Sequence, residues 1–491
     1  MNEYGLYIDG QWTAATSGRT FQSISPTSGE ILATFAEGDG NDVEKAVQAA
    51  AKARKEWRCF PAPKRGEILL EAATNMRKRK KELGEMVSRE MGKVISEGKG
   101  DVQEAIGFLE YIAGEGRRMF GQTTPSELPG KFCMTVRQPV GIVGLITPWN
   151  FPFAVPCWKL GAALMGGNTV IYKPASLVPL CAATLVTILE EAGLPPGVLN
   201  VVTGPAGRVG RAIVENPAVE AVSFTGSVSS GKDVYARAAA QIKRVGHELG
   251  GKNPQIVMDD ADLSLAIEGV LFGAFGTAGQ RCTATSRLIL HEAIFDEMIE
   301  RLVAGTKALK IGDPLDPAID IGPVGSEDQE KKILDYIDIG KNEGAELIAG
   351  GHKLTESPHD KGFFIDPTIF AARHGMRITT EEIFGPVHAV IKVIDYDEAI
   401  RVANDVEYGL SSAIYTNNLR LAHRAVDDLE AGIVYINAPT IGAEVHLPFG
   451  GIKNTGNGTR EAGSTAIEEF TEIKTVFIDY SGKLQKAQIR D

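Results

Sequence analysis

The chain has 491 residues, which is too long for one compact core, so at least two domains are expected. Hydrophobic residues make up 43% of the sequence and charged residues 23%, as in ordinary globular proteins. The formal charge of −12 argues against a nucleic acid or an acidic membrane surface as a partner. These values are typical of a metabolic enzyme that acts on small molecules.

The sequence carries no pattern of export, membrane insertion or metal binding. The segment MNEYGLYIDGQW has neither the basic stretch nor the apolar core of a secretory signal. No apolar run approaches the roughly 20 residues that cross a bilayer. The five cysteines occur singly, without a C-x-x-C pair, and the eight histidines show no ligand-like spacing. We therefore expect reduced thiols, a cytoplasmic location and no bound metal.

The first part of the chain is predicted to hold a short hairpin followed by helices. Residues 7–12 and 20–24 form the hairpin-like stretch. Apolar residues then recur at helical spacing over 42–57 and again over 64–92. The RKRKKE segment inside the second run is interpreted as a solvated helix face rather than a nucleic-acid patch.

From residue 140 onwards, short apolar runs alternate with helical stretches. The strand-like runs GIVGLI, TVIYK, VLNVV, AVSFT and QIVM lie at 141–146, 169–173, 198–202, 221–225 and 255–258. The helical stretches lie near 155–166, 179–192, 207–215 and 229–240. This alternation predicts βαβ units and a parallel sheet, with ligands at the carboxyl ends of its strands.

A second alternating region runs from about 253 to 450, with turns rich in proline and glycine such as GDPLDP and FGPV. The segment EEFTEIKTVFIDY that follows Thr465 alternates apolar and polar residues as a strand does. A strand at a terminus needs a sheet to join. We therefore expect it to take part in pairing with a second subunit.

Three residues are candidates for catalysis, and each also has an ordinary structural interpretation. Cys282 in GQRCTA is either a buried structural cysteine or a nucleophile whose thiolate is favoured by Arg281. Glu248 in HELGGKNP follows a strand and precedes two glycines, which suits a general base or a salt-bridged surface group. Asn150 in ITPWNFP is either a turn residue or a hydrogen-bond donor to an oxyanion.

Two glycine-rich turns are candidates for holding a dinucleotide. FTGSVSSGK at 224–232 and GPAGRVG at 204–210 each follow a strand and open a helix. Backbone N–H groups and a hydroxyl at a helix N-terminus suit a pyrophosphate. Such turns also serve chain geometry alone, and no G-x-G-x-x-G is present.

Taken together, TPWNFP, KPAS, FTGS, ELGGKNP, GQRCTA, EEIFGPV and PFGG occur in the order and approximate spacing of the aldehyde dehydrogenase superfamily. The chain resembles that family from IDGQW near the start to EIKTVF near the end. The resemblance implies an α/β fold with a Rossmann-like cofactor domain, an α/β catalytic domain and a β-strand oligomerisation arm. The implied ranges are 1–120 with 140–250, then 251–453, then 121–139 with 454–491.

The resemblance also implies catalytic roles. Cys282 would attack the aldehyde to give a thiohemiacetal, and Asn150 with the Cys282 backbone N–H would hold the oxyanion. After hydride transfer, Glu248 would activate the water that hydrolyses the thioester, so the product is a free acid and not a coenzyme A ester. Glu461 resembles a carboxylate that relays protons, although the interval between Phe449 and Arg460 is one residue longer than in many relatives.

The implied cofactor is NAD or NADP. Lys173 resembles the lysine that reaches the adenosine ribose, Glu382 the glutamate on the nicotinamide ribose, and Phe384 the aromatic beside it. The remaining expected lining residues are Ile146, Trp149, Gly207, Gly210, Phe224, Gly226 and Ser227. Ser176 stands where NAD-specific members commonly carry a glutamate, and its neutral side chain does not repel a 2′-phosphate. We therefore expect NADP to be tolerated or preferred.

The substrate is expected to be a small aldehyde. The segment INAPTIGAEVHLPFGG and the C-terminal tail resemble the branches that act on α-ketoglutarate semialdehyde (2,5-dioxopentanoate) and α-aminoadipate semialdehyde. Arg281 is the candidate anchor for the substrate carboxylate, with Phe449 as a further lining residue. Alternatively, Arg281 only tunes Cys282 or pairs with Glu104.

Other functions remain open. The enzyme could be a broad-specificity dehydrogenase of aliphatic or aromatic aldehydes, and a non-catalytic structural or binding protein could share the fold. A homodimer or homotetramer is expected, with neither nucleic acid nor membrane as a partner.

Overall fold

A computed structural model describes residues 2–486 and 488. The predicted first domain includes residue 1, and the predicted arm includes residues 487 and 489–491. These positions lie outside the described residues.

The amino-terminal part consists of short strands followed by helices. The strands are β1 (Asn2–Tyr4), β2 (Leu6–Ile8), β3 (Gln11–Thr13), β4 (Thr20–Ile24) and β5 (Ile31–Ala36). The helices are α1 (Gly40–Cys59), α2 (Ala62–Lys78), α3 (Lys80–Met91) and α4 (Ile95–Glu115). The run predicted as one helix over 64–92 is two helices, because Arg79 leaves helical geometry at φ −104° and ψ 10°.

A parallel α/β unit follows two further strands. The elements are β6 (Thr123–Pro125), β7 (Lys131–Pro139), β8 (Ile142–Ile146), α5 (Ala154–Gly166), β9 (Thr169–Lys173), α6 (Pro179–Glu191), β10 (Leu199–Val201), α7 (Arg211–Glu215), β11 (Ala221–Thr225), α8 (Val228–Ala239) and β12 (Arg244–Glu248). The sheet order is β12-β11-β8-β9-β10-β2-β3, and the strands from β12 to β10 run parallel. This confirms the predicted parallel sheet.

A second seven-stranded sheet occupies the next region, in the order β15-β16-β17-β14-β13-β19-β20. The strands in this part of the chain are β13 (Asn253–Val257), β14 (Thr285–His291), β15 (Glu346–Ala349), β16 (Thr368–Ala371), β17 (Val387–Val393), β18 (Tyr408–Gly409), β19 (Ser411–Tyr415), β20 (Ile433–Ile436) and β21 (Ile452–Lys453). The helices between them are α9 (Leu263–Phe275), α10 (Phe295–Ala308), α11 (Glu327–Asn342), α12 (Arg377–Thr380), α13 (Tyr396–Asn404) and α14 (Leu419–Asp428). The chain continues through α15 (Ala466–Glu469) and β22 (Thr471–Asp479).

The strand predicted in the tail finds its sheet within its own chain. β22 pairs antiparallel with β7 along its full length, in a three-stranded sheet of order β22-β7-β6. This sheet exposes large apolar side chains, including Ile473 at 66% and Phe477 at 68% exposure. A solvent-facing apolar surface on a strand pair is typical of an interaction surface.

Helices cover both faces of the first sheet, and β8 shows how its side chains divide. Val143 and Leu145 pack into a core shared with α2, α4, α5 and α6, whereas Ile142 and Ile146 pack with α1, α7 and α8. This alternation is what a strand buried on both faces requires. Across residues 2–486 and 488, every helix is too short or too polar to span a membrane.

Candidate active site

A cavity of about 840 Å³ lies at the carboxyl-terminal edge of the first sheet, where β8, β9 and β11 end. All the predicted cofactor residues except Glu382 and Phe384 line it: Ile146, Trp149, Lys173, Ser176, Gly207, Gly210, Phe224, Gly226 and Ser227. The turns that open helices from such an edge present backbone N–H groups to an anion. The cavity therefore has the position, volume and lining that a dinucleotide needs.

A smaller cavity of about 180 Å³ adjoins the first, sharing Trp149, Gly226 and Ser227 as wall residues. Asn150 and Cys282 line it, together with the remaining predicted cofactor residues, Glu382 and Phe384. The structure thus brings residues from four distant sequence motifs to the end of the larger cavity.

The loop that carries Cys282 is held in a strained conformation. Thr277 and Ala278 have φ values of 53° and 52°, a region that side-chain-bearing residues rarely adopt. Gly279 follows at φ 69°, and a Cβ there would lie 2.2 Å from the Gly385 carbonyl oxygen. Asn253 Nδ2 donates to the Cys282 carbonyl at 2.8 Å. Backbone strain that is held in place by surrounding contacts is found at functional loops.

The environment of Cys282 raises the pKa of its thiol. Burial raises its pKa, and the charges of Glu248 and Glu382 add to the increase. The backbone N–H groups of Thr283 and Cys282 act in the opposite direction. A nucleophilic thiolate at this position therefore depends on the charge state of the neighbouring carboxyl groups.

Asn150 is buried beside Cys282. Its Nδ2 donates to the Gln280 carbonyl at 3.1 Å. The Gln280 side chain is itself held, since its Nε2 donates to the Thr277 carbonyl and its Oε1 accepts from the Gly325 N–H. Asn150 is thus fixed on the wall of the inner cavity with an amide that can donate to a developing oxyanion.

Glu248 ends β12 in a site closed to solvent. It is 3% exposed, and neither carboxyl oxygen has a hydrogen-bond partner in the described part of the chain. Burial raises its pKa well above the ordinary value, Glu461 adds to the rise, and Lys159 opposes it. A carboxylate whose pKa is raised accepts a proton more readily than an ordinary carboxylate, which suits a general base.

The end of the paired cavities that holds Cys282 also presents Glu382 and Phe384. Glu382 Oε1 accepts from the Gly251 N–H at 3.0 Å. A Cβ on Gly250 would lie 2.3 Å from Glu382 Oε2, so the carboxylate occupies the space that this glycine leaves. The Phe384 ring stands edge-on to Trp149 at 5.6 Å. The carboxylate is therefore placed to accept from a sugar hydroxyl.

At the other end, Lys173 and Ser176 bind neighbouring backbone. Lys173 is 3% exposed, donates to the Pro174 carbonyl at 2.8 Å, and has a pKa lowered to about 8 by burial. Ser176 Oγ donates to the Gly204 carbonyl at 3.1 Å. A ribose bound at this position would lie near the Lys173 ammonium group and the neutral Ser176 hydroxyl.

The aldehyde dehydrogenase family model matches residues 12–476 of the chain. This chain belongs to the aldehyde dehydrogenase family. It is an NAD(P)-dependent oxidoreductase.

Relatives of this dehydrogenase include two semialdehyde dehydrogenases. It is 43% identical to the alpha-ketoglutaric semialdehyde dehydrogenase of Bacillus subtilis, covering 97% of this chain and 98% of the relative. It is 44% identical to the alpha-ketoglutarate semialdehyde dehydrogenase of Haloferax volcanii, with 96% and 98% covered. The betaine aldehyde dehydrogenase of Staphylococcus aureus, solved with NAD+, superposes with a TM-score of 0.96 at 33% identity over 99% and 97% of the two chains.

In the dehydrogenase, the predicted Glu461 is buried close enough to Glu248 for its charge to raise the Glu248 pKa. Glu461 is 5% exposed and forms a β-bridge with Phe449. The Phe449 ring is 9% exposed and packs edge-on against Trp158 at 5.1 Å. Phe449 is not among the residues that line the two described cavities.

Sequence reasoning missed Lys159, whose Nζ contacts Glu461 Oε1 and donates to Ser223 Oγ at 2.7 Å. A signal was available, because this lysine is the lone charge in the otherwise apolar stretch AVPCWKLGAALMG. A buried ammonium in an apolar helix requires a partner.

Arg281 of the dehydrogenase is paired with Glu97. Its Nη2 donates to Glu97 Oε1 at 2.8 Å and its Nε to Thr277 Oγ1 at 3.0 Å. Glu97 also accepts from the Thr277 N–H, so one carboxylate anchors the loop that leads to Cys282. The alternative partner considered from sequence, Glu104, has a pKa raised to about 7, mainly by burial.

Proposed function

We propose that the enzyme oxidises 2,5-dioxopentanoate, or a closely similar carboxylate-bearing semialdehyde, to the carboxylic acid through a thioester on Cys282. The observation that carries this proposal is the inner cavity, where Cys282 and Asn150 lie together at the end of the cofactor-sized cavity. Glu248, without a hydrogen-bond partner among the described residues, acts electrostatically on the same thiol.

The residues of the chain divide the reaction between them. The Cys282 thiolate adds to the aldehyde carbon, and the Asn150 amide and the Cys282 backbone N–H hold the oxyanion. A bound nicotinamide supplies the acceptor for the hydride that leaves this carbon. Glu248 then takes a proton from water as the water oxygen adds to the thioester carbonyl, and the thiolate departs with the acid as product.

Two observations support a carboxylate-bearing substrate. The relatives at 43% and 44% identity are named for α-ketoglutarate semialdehyde. Arg281 adjoins Cys282 in sequence and donates from Nε and Nη2 to Thr277 and Glu97, while no residue in the described ranges accepts from its Nη1. Arg281 is not among the residues that line the inner cavity, so we propose this nitrogen as the carboxylate anchor from its position next to Cys282 alone.

We further propose that NAD and NADP are both accepted. Ser176 places no negative charge beside the adenosine ribose, and Lys173 adds a cation to the same end of the cavity. A carboxylate in place of Ser176 would repel a 2′-phosphate.

The domain division and the assembly are also proposals. The first and second seven-stranded sheets support a cofactor domain at 1–120 with 140–250 and a catalytic domain at 251–453. The exposed apolar residues of the β22-β7-β6 sheet support an oligomerisation arm at 121–139 with 454–491 and a homodimer or homotetramer. Free cysteines at all five positions suit a reducing compartment such as the cytoplasm.

The test is formation of reduced nicotinamide by purified enzyme with 2,5-dioxopentanoate, aminoadipate semialdehyde, a short aliphatic aldehyde and benzaldehyde, each with NAD and NADP. We expect the highest kcat/KM for a carboxylate-bearing semialdehyde and no turnover by Cys282→Ala. Cys59→Ala, which changes an exposed free cysteine, serves as the matched control. Equal kcat/KM for all four aldehydes would refute the substrate assignment and retain the chemistry.

A further inference from the structure

A cluster of buried charged and polar groups adjoins Glu248. It joins Lys159 of α5, Ser223 of β11, Glu461 and Glu469 of α15, which are 1%, 0%, 5% and 7% exposed. The reaction proposed above uses only Glu248 from this region, and the family resemblance implies a proton-relay role for Glu461. Glu469 has no role in them, although it is a buried carboxyl group close to the proposed base.

The members form a continuous chain of contacts. Lys159 Nζ contacts Glu461 Oε1 on one side and donates to Ser223 Oγ at 2.7 Å on the other. Ser223 pairs with Gly246 across β11 and β12, and the Glu469 carboxyl group lies against Gly246, so the Ser223 hydroxyl is close enough to lower the pKa of Glu469. The second oxygen of that carboxyl group, Oε1, has no partner within the described residues. The Lys159 ammonium group therefore contacts Glu461 directly and is connected to Glu469 through Ser223.

Glu469 is fixed against the strand that carries the base. A Cβ on Gly246 would lie 1.8 Å from Glu469 Oε1, so any side chain at position 246 would displace the carboxyl group. Gly246 stands two residues before Glu248 in β12. Because Gly246 has no side chain, the buried Glu469 carboxyl group can lie against the β12 backbone two residues before Glu248.

The charges in this cluster do not balance. Glu248, Glu461 and Glu469 face a single buried ammonium, so full ionisation would leave two uncompensated negative charges. Burying such charges is costly, and carboxyl groups in this situation share protons. Burial raises the pKa of Glu469 to about 7, Lys159 opposes the rise and Glu461 adds to it.

Two arginines adjoin the cluster, Arg244 near Glu469 and Arg460 near Glu248. Arg244, which also lowers the pKa of Glu469, donates to the backbone carbonyls of Glu468, Glu469 and Thr471. At Glu248, the charges of Glu461 and Glu469 raise the pKa, and the charge of Arg460 lowers it.

We propose that Glu469 is a positioning residue for the hydrolytic half of the reaction, acting through the Ser223–Lys159–Glu461 chain to set the pH at which Glu248 loses its proton. The proposal rests on the roles assigned above to Cys282 and Glu248. The charge of Glu469 disfavours the ionised form of Glu248, and a neutral Glu248 removes one of the two carboxylate charges, with that of Glu382, that raise the pKa of the Cys282 thiol.

The decisive variant is Glu469→Gln, which removes the charge and keeps the volume. Removing it weakens the repulsion on Glu248, so Glu248 ionises at lower pH. We expect the pH midpoint for the steady-state hydrolysis of 4-nitrophenyl acetate after the burst to fall by about one unit. We expect the pH midpoint for alkylation of Cys282 by iodoacetamide to rise, because Glu248 is then charged over more of the range. Opposite movements of the two midpoints are not expected from general loss of structure.

Glu468→Gln is the matched control, since Glu468 is on the same helix but is exposed and paired with Arg137. Both of its midpoints should equal those of the wild type. Ser223→Ala is a second variant, which breaks the link between Lys159 and Glu469 and should move both midpoints in the same directions as Glu469→Gln. This variant decides the question if Glu469→Gln does not fold.

Coincidence of the Glu469→Gln and Ser223→Ala profiles with the wild-type profile would overturn the proposal. The ester assay needs neither cofactor nor semialdehyde, so its result is independent of the substrate assignment. Loss of the burst in Cys282→Ala tests the nucleophile separately.

Discussion

Replacing Arg281 by glutamine tests how the enzyme recognises its substrate. Arg281 directly precedes Cys282 in the sequence. Two of its side-chain nitrogens donate hydrogen bonds to Thr277 and Glu97, at 3.0 and 2.8 Å. If the third nitrogen binds the carboxylate of a semialdehyde, Arg281→Gln removes a charged hydrogen bond that is present throughout the reaction.

The size of the expected KM increase follows from the loss of one charged hydrogen bond. A hydrogen bond to a charged group contributes about 1.5–3 kcal/mol, which corresponds to a KM increase of about tenfold to a hundredfold. Because the interaction is made equally in the ground and transition states, kcat should change little. Some stability is lost as well, since Glu97 and Arg281 are 11% and 13% exposed and the substitution leaves Glu97 without its cation.

The assay compares KM for 2,5-dioxopentanoate with KM for pentanal, which has the same chain length without the carboxylate. Arg281→Gln should raise KM for the first aldehyde only. Glu97→Gln is the control for the loop, because it breaks the same ion pair but leaves the guanidinium in place; KM for the anionic substrate should not rise. A parallel increase for both aldehydes, or the same increase in both variants, would show that Arg281 only shapes the loop.

Further predictions concern the oxyanion, the cofactor and the assembly. Asn150→Ala should lower the single-turnover rate of hydride transfer by about a hundredfold to a thousandfold, from the loss of one oxyanion donor, while Kd for NAD measured by fluorescence is unchanged. Ser176→Glu should lower kcat/KM for NADP at least about tenfold relative to NAD, because a carboxylate repels the 2′-phosphate; an unchanged ratio would place that phosphate elsewhere. Phe477→Ser removes an exposed ring from the β22 surface and should favour dissociation in analytical ultracentrifugation, whereas an unaltered mass on dilution would argue against this surface.

The parallel sheet was predictable from sequence because its strands are buried on both faces. TVIYK and AVSFT are mostly apolar runs of β-branched and aromatic residues, and the strands observed are Thr169–Lys173 and Ala221–Thr225, as predicted. The break at Arg79 was not predictable, since the residues on either side of it continue the helical pattern of apolar positions.

Some members of the site were predictable from sequence, whereas Lys159 was missed and the predicted lining residue Phe449 lines neither cavity. Motifs separated by long stretches of chain were assigned to one site by resemblance, and Asn150, Cys282 and Glu382 do line one cavity. The partner of Arg281 could not be read from sequence, because Glu97 and Glu104 are both carboxylates on α4 and the choice depends on how the helix is turned. The cluster around Lys159 depends on packing between elements that are distant in sequence.

The most direct test of the proposed chemistry is to trap the thioester. Glu248→Gln removes the base but leaves Cys282 and Asn150 in place, so incubation with NAD and 2,5-dioxopentanoate should release about one equivalent of reduced nicotinamide and then stop. Mass spectrometry of the digested protein should find the acyl group on Cys282, and Cys282→Ala should give neither burst nor adduct. Full steady-state turnover by Glu248→Gln, or an adduct on any other residue, would contradict the mechanism.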